Sequence, residues 1–294
     1  RKKQAPAKKP AKGKKAAPAP APVPAGPLSY ELTATLAGPA ANTEREPDED
    51  RGTANDLIIG DTVHGFVGWT GDVDLWKLSV ETLSVKNTLD IQVAPVEGVA
   101  LSLEVSDGVG RSLLVRKAPR GSALLVRGVL PVVASGSPPF HYLSIKGDKS
   151  NPETAYALSV AARPLETDQE VEPNDTPDKA MAFPDVKTIT GNWTAGDTDC
   201  FAIAADVAAR TIDVELDPQE LDLALELVVD SKAAGKSETA GKGTREKVAA
   251  QVPASASAVA CVRAAASAAG EGAYTLTVSE GAVRHGADQG AASP

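Results

Sequence analysis

Apolar and polar side chains alternate strictly along several short stretches of this 294-residue chain. In TLDIQV (88–93), Leu89, Ile91 and Val93 fall on one side and Asp90 and Gln92 on the other; TIDVEL (211–216) repeats the pattern with Ile212, Val214 and Leu216. A period of two predicts strands with one buried face. LSLEV (101–105) and LALEL (223–227) read the same way, as do AYALSV (155–160) and AYTLTV (273–278). Clusters of Gly, Asp, Pro and Ser separate these strands at regular intervals, and no convincing long helix is predicted. The Ala-rich run 254–269 invites a helix, but SAVACVRAA within it stands where its counterpart FHYLSIK (140–146) reads as a strand, so it is assigned as strand.

The strands come in matched pairs because the chain is duplicated. EREPDE (44–49) reappears as EVEPND (170–175), 126 positions later, and residues 44–160 align piece by piece with 170–278. Gly71-Asp72-Val73-Asp74 matches Gly196-Asp197-Thr198-Asp199. A repeat of that size is an ordinary domain. The expectation is an all-β protein of two antiparallel β-sandwiches, at 29–164 and 165–281, joined by a polar link in ARPLETDQ (162–169).

Composition narrows this further. The chain is 42% hydrophobic but 4% aromatic with one Met, so its cores are built from Val, Leu, Ile and Ala, which suits thin β-layers better than large ligand cavities. Residues 1–28 carry eight Lys/Arg and no acid among Ala and Pro, which predicts a disordered segment with polyproline II stretches, a spacer of roughly 85 Å if fully extended. Residues 282–294 read as a flexible tail. Beyond residue 28, 22 basic residues face 39 acidic ones. No aromatic residue interleaves the basic segment, so a spacer at the cell envelope is favoured over a nucleic-acid arm, and no nucleic-acid partner is expected. There is no apolar run long enough to span a bilayer. The start RKKQ, without Met, reads as a trimmed N-terminus from which an export signal was lost, and the expected location is extracytoplasmic.

Catalytic patterns are missing. His64, His141 and His285 are scattered, and neither HExxH nor GxSxG occurs. DSKAAGKS (230–237) has the look of a phosphate loop, but Asp230 stands where the first Gly is needed, and an Asp-led turn between strands is the better reading. Cys200 and Cys261 lack zinc-site spacing. If Phe201, Ile203, Ala260 and Val262 face the core, both cysteines face outward and can meet as a disulfide across neighbouring strands; two independent buried thiols are the alternative.

EVEPNDT (170–176), GNWTAGDTDCF (191–201) and the closing AYTLTV together resemble the bacterial pre-peptidase C-terminal (PPC) domain, and the first repeat resembles it too. The first copy departs in having Asp48-Glu49 for Asn-Asp, and the second in having Cys200 where a large apolar residue is common. The resemblance implies a jelly-roll-like sandwich appended to secreted proteins, often hydrolases, where it aids secretion, attachment or substrate binding without catalysis. With no peptidase domain accompanying the two modules, the expectation is a non-enzymatic secreted or envelope protein that binds a polymer or protein partner. The alternatives are a structural spacer, or an accessory or inhibitor chain of a secreted hydrolase.

The acidic Pro segments are the candidate chemistry. Calcium takes six to eight oxygen ligands, and an extended segment sets alternate side chains on one side. Glu170, Glu172, Asn174 and Asp175, with Asp197 and Asp199 of the later loop, form one candidate calcium set; Glu44, Glu46, Asp48, Asp72 and Asp74 form the other. Collagen-binding modules of bacterial collagenases, similar to this family, use an E-x-E-x-N-D linker with aspartates of the later loop, which these positions match. The alternative is that the Asp side chains simply cap backbone N–H groups of the G-D-x-D turn.

Overall fold

The computed structural model describes residues 31–34, 38, 40–131, 133–265 and 270–282; the basic segment 1–28 and the tail beyond 282 lie outside the described residues. Among the described residues there are eighteen strands and no helix, nine strands to each repeat. The first repeat runs β1 (Asn55–Leu57), β2 (Thr62–Val67), β3 (Asp74–Ser79), β4 (Asn87–Val93), β5 (Leu101–Asp107), β6 (Ser112–Lys117), β7 (Leu124–Val129), β8 (Phe140–Gly147) and β9 (Asn151–Pro164). The second runs β10 (Met181–Ala182), β11 (Thr188–Trp193), β12 (Thr198–Ile203), β13 (Arg210–Asp217), β14 (Leu223–Val229), β15 (Lys232–Ser237), β16 (Glu246–Val252), β17 (Ala258–Ala264) and β18 (Gly272–Ala282).

Each repeat forms a five-stranded and a four-stranded sheet. Their orders are β1-β3-β8-β5-β6 and β2-β9-β4-β7 in the first, and β10-β12-β17-β14-β15 and β11-β18-β13-β16 in the second. Adding nine to every label of the first repeat reproduces the second. Pairing is antiparallel except where the short first strand of each repeat runs parallel to its neighbour, β1 with β3 and β10 with β12. The result is two jelly-roll-like β-sandwiches.

The alternation in the sequence sets the core. Leu89, Ile91 and Val93 on β4 and Ile212, Val214 and Leu216 on β13 are fully buried, and they pack with Trp76, Leu103 and Tyr156 in the first sandwich and with Phe201, Leu225 and Tyr274 in the second. A fully buried side chain of this size contributes about 1.5–3 kcal/mol. The Ala-rich run supplies β17, whose Ala258, Ala260 and Val262 face the core. Cys200 and Cys261 stand directly opposite each other on β12 and β17 and are joined as a disulfide. The DSKAAGKS stretch is a hairpin: Asp230 and Ser231 take left-handed φ values of 46° and 62° and lead into β15.

The link between the sandwiches is hydrogen-bonded along most of its length. Leu165 N–H donates to Lys86 O, Glu170 N–H to Thr190 O, and Thr190 N–H to Asp168 O. Further along, Glu172 N–H donates to Gly128 O and Leu130 N–H to Glu172 O, both at 3.0 Å, so the linker extends the exposed edge strand β7 of the first sandwich. Pairing of this kind satisfies backbone groups that an open sheet edge leaves bare. Gly128 permits the approach, since its φ is 72° and a Cβ there would stand 2.7 Å from Glu170 O.

Two outcomes test this architecture. Gly128→Ala adds both a strained φ and that overlap, and is expected to lower stability by about 1–3 kcal/mol in chemical denaturation; an unchanged midpoint would show that the linker does not pack on β7. Replacing both cysteines by alanine reopens a 61-residue separation and is expected to cost about 4 kcal/mol on the chain-entropy argument, confined to the unfolding of the second sandwich.

Candidate metal centres

Each acidic site lies at an end of its sandwich, where the Pro-containing segment crosses the start of β3 or β12. Asp74, Trp76 and Leu78 share the core-facing side of β3, and Asp199, Phe201 and Ile203 share that of β12. A carboxylate therefore occupies a position that the alternation assigns to an apolar side chain. Asp74 is 1% exposed and Asp199 is fully buried, and neither oxygen of either group has a donor in hydrogen-bond geometry.

The structure brings together all six residues predicted for the second site. Oxygens of Glu170, Glu172 and Asp199 lie within 4.8 Å of one another, as do those of Glu172, Asp175 and Asp197. Asn174 braces the ring of acids: its backbone N–H donates to Glu172 Oε2 and its Nδ2 to Glu170 Oε1, both at 2.9 Å, while its Oδ1 is buried without a partner. Asn192 N–H donates to Glu170 Oε2 at 2.8 Å. The first site assembles Glu46 with Asp72 and Asp74, and Glu46 again with Asp48 and Glu49, the last not foreseen from the sequence. Phe66 N–H donates to Glu44 Oε1 at 2.9 Å and Asn55 Nδ2 to Asp48 Oδ2 at 2.7 Å, leaving Glu44 Oε2 and Asp48 Oδ1 buried and unpartnered. The Glu46–Pro47 and Glu172–Pro173 bonds are cis in the two segments.

The turn-capping alternative accounts for only one aspartate of each pair. Asp72 accepts Gly68 N–H at 2.5 Å and Val73 N–H at 3.1 Å, and Asp197 accepts Thr198 N–H at 2.9 Å. No donor reaches Asp74 or Asp199 in good hydrogen-bond geometry, and the groups beside them are the Tyr156 hydroxyl with the Glu44 carboxyl and the Tyr274 hydroxyl with the Glu170 carboxyl. Neither aspartate caps a turn.

Several residues of the sites were not foreseen. Tyr156 and Tyr274 stand opposite Gly65 and Gly191 in the strand register, and a Cβ on either glycine would overlap the tyrosine ring. The missing side chain lets each ring cross the neighbouring strand. Each hydroxyl lies beside Asp74 or Asp199, and Tyr156 also accepts the Trp76 indole N–H at 2.9 Å. Both tyrosine pKa values are raised, by burial first and then by the neighbouring carboxylates. The Gly/Tyr pair repeats in both halves, which was the available signal. Arg116 carried no such signal: it comes from β6 of the first sandwich and pairs with Glu172, Asp175 and Asp197 of the second.

Burial without counter-charge pushes these carboxyls up. Asp74 rises from 3.8 to about 8 and Asp48 to about 7, and Glu44 from 4.5 to about 7; burial is the largest cause in each, with neighbouring carboxylates adding to it. In the second site Glu170 rises to about 7, and Asp199 is raised well above its ordinary value by burial and then by the Glu170 and Asp197 charges. Glu172 rises to about 8 because burial outweighs Arg116, while Arg116 itself is held more firmly protonated than usual. The two shifts agree once charges are counted: one guanidinium faces five carboxylates.

No protein-family model matches the chain, and no curated protein matches it. Among solved structures, the pre-peptidase C-terminal domain of a collagenase from Bacillus anthracis is similar at 19% identity and a TM-score of 0.27, covering 40% of this chain and 99% of that one. The CUB1-EGF-CUB2 domains of rat MASP-1 are similar at 11% identity and a TM-score of 0.22, covering 76% and 99%. The CBM22-1-CBM22-2 tandem domain of Paenibacillus barcinonensis Xyn10C is similar at 12% identity and a TM-score of 0.21, covering 78% and 100%. The sandwich architecture rests on this structure's own strand order.

The raised carboxyl pKa values give a pH dependence with a definite sign. A carboxyl that holds its proton more tightly when folded favours the fold below its unfolded value, here 3.8 to 4.5, and that contribution is lost as pH rises through 7 to 8. In a chelator the melting temperature is expected to fall between pH 5 and pH 8.5. Equal melting temperatures at both pH values, measured by calorimetry, would contradict the assigned burial.

Proposed function

We propose that this chain is a non-enzymatic tandem binding module whose two acidic sites hold calcium, and that it presents the sandwiches to a polymer or protein partner outside the cytoplasm. The observation that carries the reading is the pair Asp74 and Asp199, whose four carboxylate oxygens are buried and unpartnered. Ionising a buried carboxyl that has no partner costs several kcal/mol, and a bound cation would offset that cost where a retained proton otherwise must. The donor set consists of carboxylate and amide oxygens with no His or Cys, which suits a hard ion such as calcium and not zinc. Glu44, Glu46, Asp48, Asp72 and Asp74 would hold one ion, and Glu170, Glu172, Asn174 and Asp199 another, with Asp175 and Asp197 at the outer side of the second. The Cys200–Cys261 disulfide accords with an oxidising compartment.

One surface feature favours a partner. Trp69, 46% exposed, sits on the loop from Gly68 to Asp72 that closes the first site. A large aromatic ring held at a rigid loop is a common anchor for protein or polymer contacts. Ordering the acidic site would fix that loop, and so link ion binding to presentation of the ring.

Calcium binds the folded state only, so it raises the melting temperature. Millimolar calcium added to chelator-treated protein is expected to stabilise both sandwiches, with a larger gain at pH 8.5 than at pH 5. Asp74→Asn should remove the gain of the first sandwich and Asp199→Asn that of the second. No shift in the wild type sinks the calcium reading. For the partner, co-sedimentation in calcium with collagen fibres, cellulose, chitin and peptidoglycan is expected to pellet the chain with at least one polymer, less so for Trp69→Ala. If the chain remains in the supernatant with all four, the polymer reading fails.

A further inference from the structure

We propose that Arg116 is a built-in cation of the second acidic site: its guanidinium fills the outer half, formed by Glu172, Asp175 and Asp197, and leaves only the inner half to a divalent ion. Among the described residues, no side chain plays that part at the first site. This deepens the cation-site reading above and rests on it.

Arg116 belongs to β6, the edge strand of the five-stranded sheet of the first sandwich, yet all three of its acidic partners belong to the second. Its side chain is 2% exposed. Nη1 lies 2.8 Å from Asp175 Oδ1, and Nη2 lies 2.5 Å from Asp197 Oδ1 and also pairs with Glu172 Oε1. A planar fork that engages several carboxylates at once is what arginine supplies and a point charge does not. The groups it leaves alone are the inner ones. Asp199 has both oxygens unpartnered and Asn174 has Oδ1 unpartnered, each fully buried. Five carboxylates against one guanidinium leave a surplus of negative charge on that inner side.

Duplication supplies the control. In the first sandwich Arg116 stands opposite Leu103; in the second, the matching Leu225 stands opposite Ser237. Ser237 is short and uncharged, so the second sandwich has no counterpart to Arg116. Among the described residues, none of Glu44, Glu46, Asp48, Glu49, Asp72 and Asp74 forms an ion pair. The two sites match at Glu44/Glu170, Glu46/Glu172, Asp72/Asp197 and Asp74/Asp199 and differ in the guanidinium. A divalent ion in the outer half of the second site would face the guanidinium across a few ångströms and be repelled. Arg116 therefore sets how much metal the second site takes and holds the second sandwich to the first without metal.

Isothermal titration with calcium on the full chain, carrying Asp74→Asn to silence the first site, tests this. Arg116→Met in that background is expected to bind calcium at least tenfold more tightly, or to take up one further ion, while Arg116→Lys, a point charge that does not span all three carboxylates, is expected to fall between the parent and the Met variant. In chelator the Met variant should melt below its parent, and calcium should restore it by a larger shift than the parent shows. If the Met variant does not fold without calcium, refolding on addition of calcium is the expected result, and failure to refold overturns the proposal. Unchanged affinity and stoichiometry also overturn it, provided that the wild type binds calcium at its first site. If the wild type binds calcium at neither site, the cation reading itself falls and this inference falls with it.

Discussion

A carboxylate at a core-facing strand position is the constraint around which each sandwich end is arranged. Asp74 precedes Trp76 and Leu78 on the inner side of β3, and Asp199 precedes Phe201 and Ile203 on that of β12. Removing such a group from water costs more than a single hydrogen bond returns. The surroundings do little to offset that cost. They add Glu44 or Glu170, which sharpen the repulsion, and a tyrosine hydroxyl that does not reach donor geometry. The glycine beneath each tyrosine and the capping of Asp72 and Asp197 hold acidic groups close together, in clusters that could hold a metal ion.

The acidic segment of the second repeat has two roles at once. Its backbone extends the β7 edge through Gly128 and Leu130, while its side chains line the second site. Ligand geometry and sandwich contact are therefore properties of the same few residues. Glu172 shows the coupling most directly, since its main chain bonds to β7, one carboxylate oxygen accepts Asn174 N–H, and the other meets Arg116. A change in the charge state of this site bears on the contact between the sandwiches. In the first repeat the corresponding segment bonds within its own sandwich, through Glu44 N–H to His64 O on β2 and Arg45 N–H to Asn55 Oδ1 on β1.

Duplicated modules diverge where their surroundings differ. Trp76 gives Tyr156 a donor at 2.9 Å, whereas Phe201 offers Tyr274 none. The second sandwich gains a disulfide at Cys200, where the first has Leu75. Asp48 becomes Asn174, which lowers the acid count of the second site by one and adds a donor for Glu170. Together with Arg116, these changes make the second site less negative and more tightly braced than the first.

Much of this was legible in the chain itself. Strict alternation at Leu89, Ile91, Val93 and at Ile212, Val214, Leu216 determined which side of β4 and β13 is buried, because successive side chains of a strand must point to opposite faces. The duplicated acidic Pro segments and G-D-x-D loops named the acidic residues the structure gathers at the sites except Glu49, and did not name the tyrosines, Asn55, Asn192 or Arg116. Parity along β12 and β17 placed Cys200 and Cys261 on one face but left the disulfide open, since parity does not give register. Only the tertiary structure decided the rest. Which of two adjacent aspartates caps a turn and which is left without a donor depends on the direction each side chain takes at the sandwich end. That Gly65 and Gly191 make room for tyrosines depends on pairing between strands more than 80 residues apart. Arg116, 56 residues before Glu172 in sequence, reaches its carboxylates because the linker docks on β7, and no local pattern records that.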